Sequence, residues 1–151
     1  AVLAARAVGR KLVMAGLVQD ADYFASKVAP FIDDRTIEYR GVLGGADRTR
    51  ALGNAHALLH LIGFEEPFGL SVIEAMACGT PVIAYAKGSM PELIVDGVTG
   101  FLVHSFEEAV AAVERVGEID RAACREHVAN HFTVDRMADR YLKLYRQLLG
   151  G

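Results

Sequence analysis

Two carboxylates, Glu66 and Glu74, stand with seven residues between them, one on each side of a sharp turn at Pro67 and Gly69. The stretch reads Gly63-Phe64-Glu65-Glu66-Pro67-Phe68-Gly69-Leu70-Ser71-Val72-Ile73-Glu74-Ala75-Met76-Ala77-Cys78-Gly79-Thr80-Pro81-Val82-Ile83-Ala84. From Leu70 onward the apolar residues recur at helical spacing, with Leu70, Ile73 and Ala77 on one side and Val72 and Met76 flanking. The free N–H groups of a helix N-terminus carry partial positive charge and suit a phosphate. Gly69 has no Cβ, so a ligand can approach the backbone there. A carboxylate accepts hydrogen bonds from paired sugar hydroxyls, which is how acidic residues read ribose in nucleotide sites.

The elements around the turn must hold it open. Ala57 to Ile62 reads as a buried strand, Gly79 stops the helix, and Val82 to Ala84 reads as the next strand; together they make a βαβ unit. Upstream, Ala1 to Val8 is helical, Leu12 to Ala15 is a short buried strand closed by Gly16, and Asp20 to Val28 is a helix capped by Asp20 or Asp22. Thr36 to Arg40 alternates as a strand, Gly41 to Gly45 is a glycine-rich loop, and Asp47 to Asn54 is a short helix. Downstream, Pro91 suits the first turn of a short helix, Gly100 to Val103 is a strand, and Ser105 with Glu108 forms a capping box. Helices then run to Arg115, over Arg121 to Asn130, and from Thr133 or Asp135 through Met137, Tyr141, Leu144, Tyr145 and Leu148. Alternating strands and helices predict a doubly wound parallel sheet, and ligands of such sheets bind outside the carboxyl ends of the strands. Gly16, the 41–45 loop and the 65–69 turn should therefore converge on one crevice.

At these residues the sequence resembles the donor site of family 4 glycosyltransferases. Glu66 and Glu74 in their setting carry the resemblance, and Gly88-Ser89-Met90-Pro91-Glu92-Leu93-Ile94 and Asp96-Gly97-Val98-Thr99-Gly100-Phe101-Leu102-Val103 extend it. The match covers nearly the whole chain and is to the C-terminal domain of the GT-B fold, two Rossmann-like domains facing across a cleft. It implies retaining transfer of a hexose from a nucleotide diphosphate sugar to an acceptor hydroxyl, with no metal or other cofactor required. It implies that Glu66 is the catalytic-site carboxylate meeting the donor sugar, and that Glu74 binds ribose. Phe68, Gly69, Leu70 and Ser71 would form the diphosphate turn, and Leu43, then Val42, would lie against the base. The family's diphosphate-neutralising Arg and Lys belong to a loop after a first strand that does not occur here, and Lys11, Lys87 and Arg48 do not match them. Residues 1–151 then form a donor domain lacking that strand and the N-terminal domain, through which a glycan, lipid or small-molecule acceptor would bind. Such a fragment alone should be inactive.

Other readings stand beside these. Ser71 and Glu74 have the spacing of a plain capping box. The 41–45 loop could be a structural turn, and the last helix's stripe could be core packing as readily as a surface for the missing domain. His60, between Leu59 and Leu61, reads as a hydrogen-bonded core residue, with a sugar contact the other possibility. A GT-B nucleotide-sugar epimerase and a non-catalytic nucleotide-sugar binding module are the rival functions.

Composition narrows the classes. The chain is 52% hydrophobic and 23% charged, as a folded domain should be. A net charge of -3 argues against a nucleic-acid surface. No apolar run reaches the roughly 20 residues of a membrane span. Cys78 and Cys124 form no metal-spaced pair, and a reduced, cytoplasmic chain is the expectation. A parent protein building lipid-linked or envelope glycans would touch the membrane through the missing half.

Overall fold

The computed structural model describes residues 1–150. Helix α1 (Val2–Ala7) leads into strand β1 (Leu12–Met14). Helix α2 (Ala21–Tyr23) is capped by Asp20, whose carboxylate accepts from the Tyr23 amide at 2.8 Å. It then widens into a π-helical turn over Phe24–Val28 and tightens into a 3₁₀ turn over Ala29–Phe31. The single helix expected over 20–28 is thus two short pieces, and the 3₁₀ turn that holds Pro30 extends it. The remaining elements are β2 (Ile37–Tyr39), α3 (Gly45–Asn54), β3 (Leu58–His60), α4 (Leu70–Ala77), β4 (Val82–Tyr85), α5 (Met90–Leu93), β5 (Gly100–Val103), α6 (Phe106–Arg115), α7 (Arg121–His131) and α8 (Val134–Leu148). Among the described residues, no helix is long and apolar enough to cross a membrane.

All strand pairs are parallel, as the alternation of strand and helix requires. They form two ladders, however, and not one sheet: β1 with β2, and β3-β4-β5. The split changes burial. Central strand β4 is covered on every side, with Val82, Ile83 and Ala84 fully buried. Strand β3, at the edge of its ladder, is only half-buried, and Val13 in β1 is exposed. Both had read as buried strands; each lacks a neighbour on one side.

The main core surrounds β4 and β5: Val72, Ala75 and Met76 of α4 lie in it with Val128 of α7, which packs on α4, and with Val113 of α6, which packs on the two strands. The buried face of α4 is therefore Val72, Ile73, Ala75 and Met76; Leu70 is 66% exposed and Ala77 is exposed. Of the side grouped by helical spacing only Ile73 is buried; the flanking Val72 and Met76 join it, because the sheet lies under them.

Helix α3 carries its own anchor. The last carbonyls of a helix have no partner within it. Here the Thr80 hydroxyl, on a fully buried residue, donates to the Leu52 carbonyl at 2.6 Å. Arg121, from the start of α7, donates to the Ala55 and Gly53 carbonyls at 2.8 and 2.7 Å and to the Thr80 hydroxyl at 2.9 Å. Two side chains distant in sequence thus fix the carboxyl end of α3. Replacing Thr80 by Val keeps the shape but leaves the Leu52 carbonyl with the Ala55 amide alone and removes the acceptor that Arg121 meets on Thr80. Urea unfolding should show a loss of about 1–3 kcal/mol with an unchanged denaturant slope; a loss below about 0.3 kcal/mol would mean that the node carries no stability.

Candidate functional site

The turn before α4 is set by contact as well as by conformation. Gly69 is the N-cap of α4 and has a left-handed backbone, φ 88°. A Cβ there would come within 2.7 Å of the Met90 side chain and 3.1 Å of Leu93. The left-handed backbone favours the glycine, and a Cβ would also press on the Met90 and Leu93 side chains of α5. Gly69 accepts from the amides of Val72 and Ile73, and the first amides of α4, Leu70 and Ser71, have no acceptor inside the helix. No side chain caps them: the expected Ser71–Glu74 box is absent, since Ser71 lies inside the helix and not at its N-cap.

The two carboxylates are both engaged through one oxygen. Glu66 Oε1 accepts from the Gly69 amide at 3.2 Å and the Phe68 amide at 3.4 Å, so it braces the turn from within. Glu74 Oε1 pairs with Arg48 Nη2 at 3.0 Å. Neighbouring Glu65 accepts from the Gly88 amide and is not a free loop charge.

That last contact belongs to a seam. The Lys87 ammonium donates to the Gly63 carbonyl at 3.3 Å, the Ser89 amide to the Glu66 carbonyl at 2.9 Å, and the Ser89 hydroxyl to the Phe68 carbonyl at 2.8 Å. A Cβ on Gly88 would fall 2.5 Å from the Glu66 carbonyl oxygen. Residues 63–68 and 87–89 are thus laid backbone against backbone, and the seam gives the Glu66 loop its shape.

On the other side, the Gly16 amide donates to the Gly41 carbonyl at 2.8 Å, and the Tyr39 hydroxyl donates to the Gly16 carbonyl at 2.6 Å. Gly16 and the 41–45 loop do meet. The loop runs directly into α3, whose N-cap is Gly44; Asp47, from which the helix was expected to start, lies in its first turn and pairs with Arg50. Val42 is 65% exposed and Leu43 half-buried. Phe68 is also exposed, and with Leu70 it leaves an apolar rim at the turn. Phe68 and Leu70 also line one wall of a groove of about 730 Å³, with Met137, Tyr141 and Leu144 of α8 opposite. No residue of α8 is buried, so its stripe is not core packing.

Sequence reasoning missed Arg48, Lys87 and Ser89. The segment Gly88-Ser89-Met90-Pro91 was visible as a motif, but nothing in it says that it lies against residues 63–68. Of the three cations that did not match the family's pattern, Lys11 pairs with Glu38 at 2.8 Å, Lys87 with a carbonyl and Arg48 with Glu74.

His60, at the carboxyl end of β3, departs from its expected role. Its Nε2 is buried and has no hydrogen-bond partner among the described residues. Burial pushes its pKa below the ordinary 6.5, and the charge of Glu66 opposes this in part. The unfolded chain then takes up the His60 proton at a higher pH than the folded chain. The stability tied to His60 is complete above pH 6.5 and is lost as pH falls through the window below it. Unfolding free energies measured at pH 7.5 and 5.5 should differ less in His60→Phe than in the wild type; equal differences would remove His60 as the cause.

The sequence profile of the family described as glycosyl transferases group 1 matches residues 6–130. The D-inositol 3-phosphate glycosyltransferase of Mycobacterium marinum is 36% identical over 103 residues, covering 62% of this chain and 22% of that protein. AviGT4, a glycosyltransferase involved in avilamycin A biosynthesis, superposes with a TM-score of 0.79 at 29% identity, over 99% of this chain and 47% of its own. The Anabaena protein HepE, solved in complex with UDP-glucose, gives 0.79 at 20% identity, over 97% and 44%. This chain spans less than half the length of each. With the profile covering most of its length and both parallel ladders matched by GT-B structures, the chain belongs to the group 1 glycosyl transferases.

Proposed function

We propose that the chain is the donor-nucleotide domain of a retaining glycosyltransferase that moves a hexose from a nucleotide diphosphate sugar to an acceptor hydroxyl. One observation carries the reading: Glu74 is held on the second turn of α4 while the first amides of that helix, Leu70 and Ser71, have no acceptor within it. Ribose hydroxyls donate to the second oxygen of Glu74. The diphosphate takes the Leu70 and Ser71 amides and the positive end of the helix. The base lies along Val42 and Leu43. HepE, a structural relative, was solved with UDP-glucose, which supports a donor of this class.

Glu66 faces the sugar. Its braced oxygen fixes the turn, and its other oxygen accepts from hexose hydroxyls. Retaining transfer on one face asks the site to stabilise charge growing on the leaving diphosphate, and the α4 amides supply part of that. No metal is required in this scheme. The half-buried edge of β3 and the exposure in β1 fit a further parallel strand seated between the two ladders. A preceding segment would supply it, along with the Arg and Lys that neutralise the diphosphate. The acceptor binds through a separate domain, and this chain alone is inactive. The protein works in the cytoplasm, and reaches a membrane only where its acceptor does.

Calorimetry on the full protein with UDP, GDP and ADP, free and sugar-conjugated, tests this. One nucleotide should bind, and Glu74→Ala should weaken it by about tenfold or more, the value of a lost hydrogen bond to a charged group. Absence of binding at millimolar ligand, or an unaffected Glu74→Ala variant, would overturn the proposal.

A further inference from the structure

The Arg48–Glu74 pair joins the two halves of the site. Arg48 lies in the first turn of α3, directly after the 41–45 loop, and its amide donates to the Gly44 carbonyl at 3.4 Å. Glu74 lies on α4. The helices run side by side in the same direction: residue 48, near the amino end of α3, meets 74, midway along α4, and a Cβ on Gly53 would meet Cys78 at 4.0 Å near their carboxyl ends. The carboxyl end of α3 is fixed by Thr80 and Arg121. The pair is the side-chain link at the other end.

Stability does not account for it. Arg48 is 51% exposed and Glu74 33%, and ion pairs this open contribute little to folding. Its effect is on geometry. A glutamate on a helix surface samples several rotamers, and each costs binding energy when a ligand must select one. The guanidinium holds Oε1 through Nη2 and so restricts where Oε2 can point.

We propose that Arg48 is a positioning residue for nucleotide recognition: by holding Glu74 from the neighbouring helix, it sets the carboxylate for the ribose hydroxyls and ties that contact to the base loop. This rests on the ribose role given to Glu74 above. Because the guanidinium stands beside the ribose carboxylate, the preference it confers is for a diol over a sugar lacking hydroxyls. General attraction of the diphosphate would act on both alike.

The test compares, on the full protein, the dissociation constants of the preferred nucleoside diphosphate and its 2′,3′-dideoxy analogue. Wild type should favour the ribonucleotide by about tenfold or more. Glu74→Ala should abolish that ratio. Arg48→Ala should cut it by about threefold to tenfold while leaving the dideoxy affinity within about twofold, and Arg48→Lys should restore part of it. The double variant should be no worse than Glu74→Ala. If Arg48→Ala weakens both ligands equally, or tightens the ribonucleotide, the positioning role is wrong. If Glu74→Ala itself leaves the ratio intact, the ribose reading of Glu74 fails first. Thermal unfolding of each variant separates these outcomes from misfolding, since loss of so exposed a pair should hardly move the midpoint.

Discussion

Three backbone carbonyls at the end of α3 decide where the rest of the site can lie. The helix end leaves the Gly53 and Ala55 carbonyls open and gives that of Leu52 only the Ala55 amide. Thr80, on the lead into β4, and Arg121, at the start of α7, take them. This hydrogen-bonded node fixes α3 against the β3-β4-β5 ladder at one end. A helix fixed at one end delivers its other end to a defined place, here the 41–45 loop and Arg48 beside Glu74. The place of the candidate site thus depends on contacts at the carboxyl end of α3.

The second constraint is the seam between residues 63–68 and 87–89. The carbonyls of Gly63, Glu66 and Phe68 and the carboxylate of Glu65 all find donors in the 87–89 loop. Glu66 then braces the Gly69 turn from inside. A loop built this way is rigid without being buried. That suits a surface that must present amides and carboxylates to a polar ligand without rearranging each time. The apolar side chains left on the outside, Phe68 and Leu70, follow from the same geometry: the turn faces away from the core.

Much of this was legible in the chain. Apolar runs bounded by glycine and proline gave the strands, and the caps at Asp20, Ser105 and Thr133 are as the local patterns require. The Glu108 carboxylate does reach back, though to the His104 amide and not to that of Ser105. The Gly69 turn and the Gly79 stop were also visible. What stayed hidden depends on contacts between distant elements. Arg48 carries no local signal of its partner on α4, and Gly88 none of its closeness to Glu66. Helical spacing grouped Leu70 with Ile73, yet only Ile73 is buried, because periodicity gives an angle but not the position of the sheet beneath it. The split into two ladders, and with it the partial exposure of β1 and β3, follows from pairing that no single strand can announce.

The central claim is that a nucleotide lies across the α3–α4 pair, with its base on the 41–45 loop and its phosphates at the head of α4. Mapping amide chemical shifts of the protein as a nucleoside diphosphate is added tests this most directly. The account predicts shifts at Gly41 to Gly45, at Leu70 and Ser71, and around Arg48 and Glu74. Shifts gathered instead in the groove between Phe68 and α8, at His131, Met137 and Tyr141, with the 41–45 loop silent, would contradict it.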